Sequence, residues 1–395
     1  MAGDQHKRTR VSSLDVVDEV IEKTLASIPR SDQRRWGDMY VRGLLAAEGK
    51  KTVRSLANWA GRSFEQNLHQ FISKSPWDSG SVRMALAHHM HRAALPRAWV
   101  VQPLVLTKMG RHSVGVDRQF VAEFGRVVNC QQGVGVWLAN EQVSCPVDWR
   151  ISLPAGWIEE PDLRQRAAIP EFACSDTLEQ CAVKAVVRMA VEWDLPRRPV
   201  VMDLREGDPR LTCQILTDHQ IPFVVRVDDP ERLVAASSRG LRSDHGYGAH
   251  HADPATTLIS MVRQQRRPVE WRNHGADTIH RTAVGSVAVR PLSRRSQTSR
   301  SHEEDLVLLG AWANPADRRP HEFWLSNLPR LPLGTLYRTA MLSRRVERDL
   351  AEVSDPLGVR DFEGRSYPGW HHHMTMVSLA HAITVLCGSA QASAA

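Results

Sequence analysis

No apolar run in the 395 residues is long enough to span a bilayer, and the polar start MAGDQHKRTR has no signal-peptide core. Neither a membrane span nor a secretory leader is expected, and the chain reads as a cytoplasmic protein. The six cysteines, at 130, 145, 174, 181, 213 and 387, form no C-x-x-C and no paired metal spacing. This excludes a zinc ribbon or a disulfide framework. There is no internal repeat, so a repeat array is excluded too. The glycines of GVGVW are followed by no helix start, which removes a phosphate loop.

What is present is ordinary globular composition, 42% hydrophobic and 24% charged, in a chain too long for one typical core. Two or three domains are expected. Lys and Arg outnumber Asp and Glu by 51 to 44, for a net charge of +7 and a pI near 9.3, which suits a polyanionic partner. The twelve tryptophans read as core anchors.

Periodicity divides the chain. Residues 1–30 are a polar segment and an entry helix, with Leu14, Val17, Val20, Ile21, Leu25 and Ile28 at helical spacing. Residues 31–92 continue helical, with GKKTVRSLANWAG as a turn and a short helix and Pro76 as a breaker. From Pro96 the period becomes that of strands. PRAWVVQPLVLTK and SVGVDRQFVAEFG read as a hairpin across MGRH, and QQGVGVWLAN alternates as a third antiparallel strand. SDTLEQCAVKAVVRMAVEWDLP is a helix opened by an Asp176-x-x-Glu179 capping box, PVVMDL and IPFVVRV are buried strands, and a further helix spans the region of Asp208 to Leu216. Residues 230–329 are rich in Arg, His and Ser, with possible strands TAVGSVAVRPL, EDLVLLGAWA and EFWLSNLP, and residues 388–395 form a small-residue tail. The order of strands and helices over 93–229 is that of an α/β RNase H-like domain, a mixed sheet with helices on both faces.

The last large segment, 330–387, holds an acid in an unusual place. On one helix over 336–353, Leu336, Ala340, Leu342, Val346, Leu350 and Val353 form an apolar stripe that includes Glu347. A carboxylate so placed needs a partner or a metal, and Arg344 and Arg348 are the local partners.

RRVERDL, then GVRDFEGRSYPGWHHHMT, resembles the C-terminal block of bacterial insertion-sequence transposases of the DDE superfamily. YVRGLLAAEGKKTVRSLA, QNLHQFISKSPWD, KMGRHSVGVDRQF, CPVDWRISLP and PRRPVVMDLREGD follow the same family's order, so the resemblance covers roughly residues 30 to 387. It implies an N-terminal helical DNA-binding domain, an RNase H-like domain carried by 93–229 and 330–387, and a β-rich insertion over 230–329. It also implies duplex DNA as partner, a possible homodimer and association with the nucleoid. Two magnesium ions held by two Asp and one Glu would cut and rejoin phosphodiesters, because hard cations take carboxylate oxygens.

On this chain the second acid maps to Asp203, at the carboxyl end of the strand PVVMDL, with Asp208 free to cap the helix that follows. The third maps to Glu347. The first is missing: where the family reads V-V-D-D-T-G, this chain reads VVQPLV, with Gln102 and Pro103 at the acidic positions. Pro103 also removes a hydrogen-bond donor from a strand expected at the sheet centre. The family's Arg four residues before the Glu is Ser343, its Lys seven residues after is Ser354, and its Trp at 344 is Arg344. DNA contacts implied by the resemblance fall on Arg42, Lys50, Lys51, Arg54, Arg62, Lys108, Arg111, His112, Arg344, Arg345, Arg348, Arg365, His371 and His372; the run His371–His373 reads as packing and DNA-facing polarity rather than a metal triad. Three functions stay open: a transposase-like DNA-binding protein without strand cutting, a magnesium-dependent endonuclease in which Asp117 or Glu123 replaces the missing acid, and an RNase H-like scaffold that binds protein.

Overall fold

The computed structural model describes residues 13–228, 232–235, 253–273, 278–291, 306–314 and 316–394. Five helices come first: α1 (Ser13–Leu25), α2 (Ser31–Ala46), α3 (Val53–Ala60), α4 (Glu65–Ser73) and α5 (Ser79–Ala94). Thr52 caps α3 by accepting from the Ser55 N–H, and Asp78 caps α5 by accepting from Gly80 and Ser81. Their apolar faces bury Val20, Leu25, Tyr40, Leu44, Phe71 and Leu86 in one core that continues into the rest of the molecule.

The next elements are β1 (Ala98–Thr107), β2 (Asp117–Val121), β3 (Arg126–Ala139), β4 (Ser144–Ser152), the short helices α6 (Ala155–Glu159) and α7 (Pro161–Arg166), α8 (Leu178–Val191), β5 (Val200–Asp203), α9 (Pro209–Asp218) and β6 (Phe223–Val227). The strands lie in the order β4-β3-β1-β5-β6, with β1, β5 and β6 parallel and β3 antiparallel to both of its neighbours, β1 and β4. This is an RNase H-like mixed sheet.

Three local expectations are corrected. The expected hairpin between the first two strands is absent: β1 pairs with β3, and β2 is a short outer strand that turns into β3 through Gly125, which takes a left-handed φ of 61°. β3 does not alternate; from Cys130 to Ala139 it is buried throughout. Helices cover both of its faces: Asp148 of neighbouring β4 pairs with Arg188 of α8, whereas the adjacent Trp149 reaches Ser378 on the opposite side. Close approach is possible because a Cβ on Gly133 would lie 2.8 Å from the Arg150 carbonyl and one on Gly135 2.8 Å from the Trp149 ring. Lastly, α8 starts one residue later than expected, with a capping box of Thr177 and Gln180.

The insertion supplies β7 (Arg232–Ala235), β8 (Asp253–Pro254), α10 (Ala255–Met261), β9 (Arg267–Asn273), β10 (Thr278–Pro291), β11 (Leu306–Trp312) and β12 (Glu322–Ser326). β12 pairs antiparallel with β6, so the insertion extends the same sheet, to twelve strands among the described residues. Most of the basic run RPLSRRSQTSRSHEED lies outside the described residues.

The chain then forms α11 (Leu333–Ala340), α12 (Leu342–Asp349), a π-helical turn over Leu350–Ser354 and the long α13 (Tyr367–Ala394). The single helix expected over 336–353 is thus broken at Met341, which together with Leu342 is buried. α13 runs against both the N-terminal helices and β4. Among the described residues no helix is long and apolar enough to cross a membrane.

Candidate active site

Asp203 is the last residue of β5, and Asp208 caps α9 by accepting from the Arg210 and Leu211 N–H groups, so Asp203 does not serve as that cap. Its carboxylate instead accepts from Arg205, at 2.9 Å from Nε and 2.7 Å from Nη2, and lies 3.7 Å from Arg226 Nη1 on β6. The hydrogen bond to Asp203 raises the pKa of Arg205 above its ordinary value.

The pairs Trp99–Val200 and Val100–Val201, continued in step, put Gln102 beside Asp203. Gln102 is half-buried and Pro103 exposed. Trp99 donates to Pro199 at 3.0 Å and Lys108 to Asn129 at 2.9 Å, so odd-numbered amides of β1 face β5 and even-numbered ones face β3. The donor that Pro103 lacks would face β5, beyond the last β1–β5 pair, while β1–β3 pairing continues to Thr107. The central strand accommodates the proline for that reason.

Glu347 lies outside the apolar stripe once the helix breaks. Its side chain is 46% exposed and accepts from Arg344 Nη1 at 3.1 Å. Arg344 Nη2 in turn donates to Glu322 Oε1 at 3.2 Å, and the same oxygen lies 3.2 Å from Arg226 Nη2. Burial opposes the charge of Arg344, but Glu347 and then Glu322 outweigh it and raise its pKa. Asp203, Arg226, Glu322, Arg344 and Glu347 therefore form one continuous ion-pair chain across β5, β6, β12 and α12, and Arg205 closes its open end. Three carboxylates meet three guanidiniums, and the set is neutral.

The magnesium site implied by the resemblance does not fit these residues. Gln102 is a neutral ligand where an anion is needed, and each mapped acid already holds a guanidinium. Among the described residues no group of three His, Cys, Asp or Glu side chains is placed to hold a metal. Neither expected replacement acid is near. Asp117 pairs with Cys130, level with Thr107, and so sits about 17 Å along the sheet from Gln102 at ~3.3 Å per residue. Glu123 lies past the end of β2, exposed. The acid that does lie between Asp203 and Glu347 is Glu322, which sequence reasoning missed. Its signal was an Arg inside the apolar FVVRV and a Glu opening EFWLS, two charges on strands that need partners when buried.

Ser343 donates back to the Ala340 carbonyl, and Ser354, turned inward by the π-helical turn, is buried against His381. Ser354 therefore does not share the exposed face of Glu347.

The expected DNA contacts are dispersed. Arg42 pairs with Asp18 and Asp38, Lys50 with Glu363, and Arg345 with Asp349. Lys51 is buried with its ammonium on the Ala47 carbonyl, Lys108 donates to the Phe362 carbonyl at 2.5 Å, and Arg348 is half-buried near Asp349 and Glu352. Arg54, Arg62, Arg111, His112 and Arg365 are exposed. His371 and His372 are corrected: both are buried, as is His373, and none can meet a duplex in this fold. His372 packs on the Trp77 ring at 3.9 Å, and His373 Nδ1 lies 3.0 Å from the Tyr40 hydroxyl, so the run ties α13 to the N-terminal helices.

Compared with known families, residues 24–280 match the one described as DDE superfamily endonuclease. The matched span takes in Gln102 and Asp203 and ends before Glu322 and Glu347. No curated protein matches the chain.

Proposed function

The chain belongs to the DDE superfamily endonucleases, and we propose that it is a DNA-binding member, of insertion-sequence transposase lineage, that no longer cuts strands. The observation that carries this reading is the neutral ion-pair chain from Asp203 to Glu347, with Gln102 beside it. Endonucleases of this superfamily typically work through divalent cations, which need an excess of carboxylate charge; here guanidiniums neutralise each acid. The net charge of +7 favours duplex DNA as the partner and the nucleoid as its place in the cell.

The test is fluorescence anisotropy of a labelled duplex across a salt series with the full chain. Phosphate-led binding makes log affinity fall linearly with log salt. Absence of binding at low salt would replace this reading with that of a protein-binding scaffold.

One observation favours a second reading. Glu322 is separated from each mapped acid by a single guanidinium, so it is the acid best placed to complete a three-carboxylate site if the arginines were to swing away.

A further inference from the structure

Three adjoining cavities of about 410, 490 and 400 Å³ open along α11, and all three are lined by Arg338. The first also reaches Arg344, so this groove begins at the ion-pair chain. The edge strand β9 and its partner β10 form the facing wall, which contributes Arg267, Arg272 and Arg281. These three and Arg338 are all exposed, and none has an ion-pair partner among the described residues. Of the acids that line the three cavities, Glu141 is already held by Arg97 at 3.0 Å, which leaves Glu270, opposite Arg281 in the β9–β10 register, as the one other acid against these four arginines. The wall is stiff: the Trp271 ring stacks on His280 at 4.6 Å and donates its N–H to Thr282 at 3.0 Å.

Like charges gathered in a groove repel one another and concentrate anions there. From Arg267 to Arg272 the edge strand runs about 17 Å at ~3.3 Å per residue, and at ~3.4 Å per step that is the axial length of roughly five phosphates on one DNA strand; with an odd spacing the two side chains leave the edge on opposite faces, Arg281 sharing that of Arg272. Of the five cations expected to contact DNA from the N-terminal helices, Arg42 and Lys50 are paired and Lys51 is buried, which leaves Arg54 and Arg62 exposed there against four exposed arginines at the groove.

We infer that one strand of the DNA backbone follows this edge of the sheet, its phosphates met by Arg267 and Arg338 on the α11 side and by Arg272 and Arg281 from the other face of the β9–β10 ribbon, and that the N-terminal helices are not the principal contact. The inference rests on the DNA-binding reading and adds where the duplex lies.

Anisotropy with the full chain tests it through three variants. Arg267→Ala Arg281→Ala Arg338→Ala should weaken duplex binding roughly a hundredfold near 0.1 M salt and flatten the salt slope by about three phosphate contacts. The matching triple Lys variant keeps the charge and should bind within about threefold of wild type, since phosphate contacts read charge more than shape. Arg54→Ala Arg62→Ala should bind like wild type. The inference is overturned if the Ala triple binds as wild type does, if the Lys triple loses as much as the Ala triple, or if the Arg54 Arg62 pair accounts for the affinity. Wild type that binds no duplex would instead remove the DNA-binding reading, and the groove assignment with it.

Discussion

Glu322 accepts from Arg344 at 3.2 Å, and this contact ties the last strand of the insertion to the helix that carries Glu347. Glu322 is nearly fully buried and holds Arg226 from the other side, so one carboxylate joins the inserted strands, the RNase H-like sheet and α12. The insertion is thereby part of the site as well as part of the sheet.

Removing that carboxylate should be costly. Glu322→Ala leaves Arg226 and Arg344 with no anion between them; because Arg226 keeps Asp203 and the partly exposed Arg344 keeps Glu347, the loss should stay below the roughly 3–5 kcal/mol of a fully buried pair that is broken. Glu322→Gln keeps the shape and one acceptor, so its loss should be smaller. Urea unfolding at pH 7 measures both, and equal stability of Glu322→Ala and wild type would show that the chain of ion pairs does not hold the insertion in place.

A second buried charge fixes the join between the N-terminal helices and the sheet. Arg83 is wholly buried and donates to the Asp148 carboxylate at 3.3 Å, the Trp149 carbonyl at 2.8 Å, the His371 carbonyl at 2.8 Å and Thr375 Oγ1 at 2.8 Å. Burial, opposed by Asp148, lowers its pKa to about 10, so it stays charged at neutral pH. Arg83→Met should destabilise by about 3–5 kcal/mol, because four acceptors lose their donor. Arg83→Lys should rescue little of this, since an ammonium cannot reproduce the planar fork. Thermal melts of both variants decide the point, and full rescue by Lys would show that only charge matters there.

Acid should unfold the protein early. Burial lowers the pKa of His372, His373 and His381 to about 4 each, and that of His371 well below its ordinary 6.5. The unfolded chain protonates these rings below about 6.5, while the folded chain keeps them neutral. Stability is therefore complete above pH 6.5 and falls as pH drops from there toward 4, with the unfolded state binding more protons throughout that window. Urea midpoints at pH 7.5 and 5.0 should differ strongly. His373→Phe, which loses its hydrogen bonds to Tyr40 and Gly358 but cannot protonate, should show a shallower pH slope.

The elements set by local patterning were legible in the sequence: the entry helix, the buried strands β5 and β6, the Asp208 cap and the position of Asp203 at a strand end. Features decided by distant partners were not. The pairing of β1 with β3 depends on which strand arrives beside it. Glu322 and Arg226 carry meaning only once β12 is laid against β6. The burial of His371 and His372 follows from α13 passing under α4 and α5, which no helical period records. The broken helix at Met341 reversed the expected setting of Glu347, from the apolar stripe to a half-exposed ion pair.

Strand cutting is the sharpest test. Purified full chain with magnesium or manganese should not nick supercoiled plasmid carrying the gene's own flanking DNA, because Gln102 supplies no charge and Arg205, Arg226 and Arg344 neutralise the acids that remain. Asp203→Ala Glu347→Ala is the control for contaminating nuclease. Nicking by wild type that this control lacks would mean that a third acid exists, and Glu322→Gln would then separate Glu322 from any other donor. The converse variant, Gln102→Asp Pro103→Asp, restores charge beside Asp203 but leaves the three arginines in place. It should stay inactive, since a metal must still displace guanidiniums that hold both mapped acids at 3.1 Å or less. Activity gained from those two substitutions alone would show that the missing acid, and not the ion-pair chain, is what closes the site.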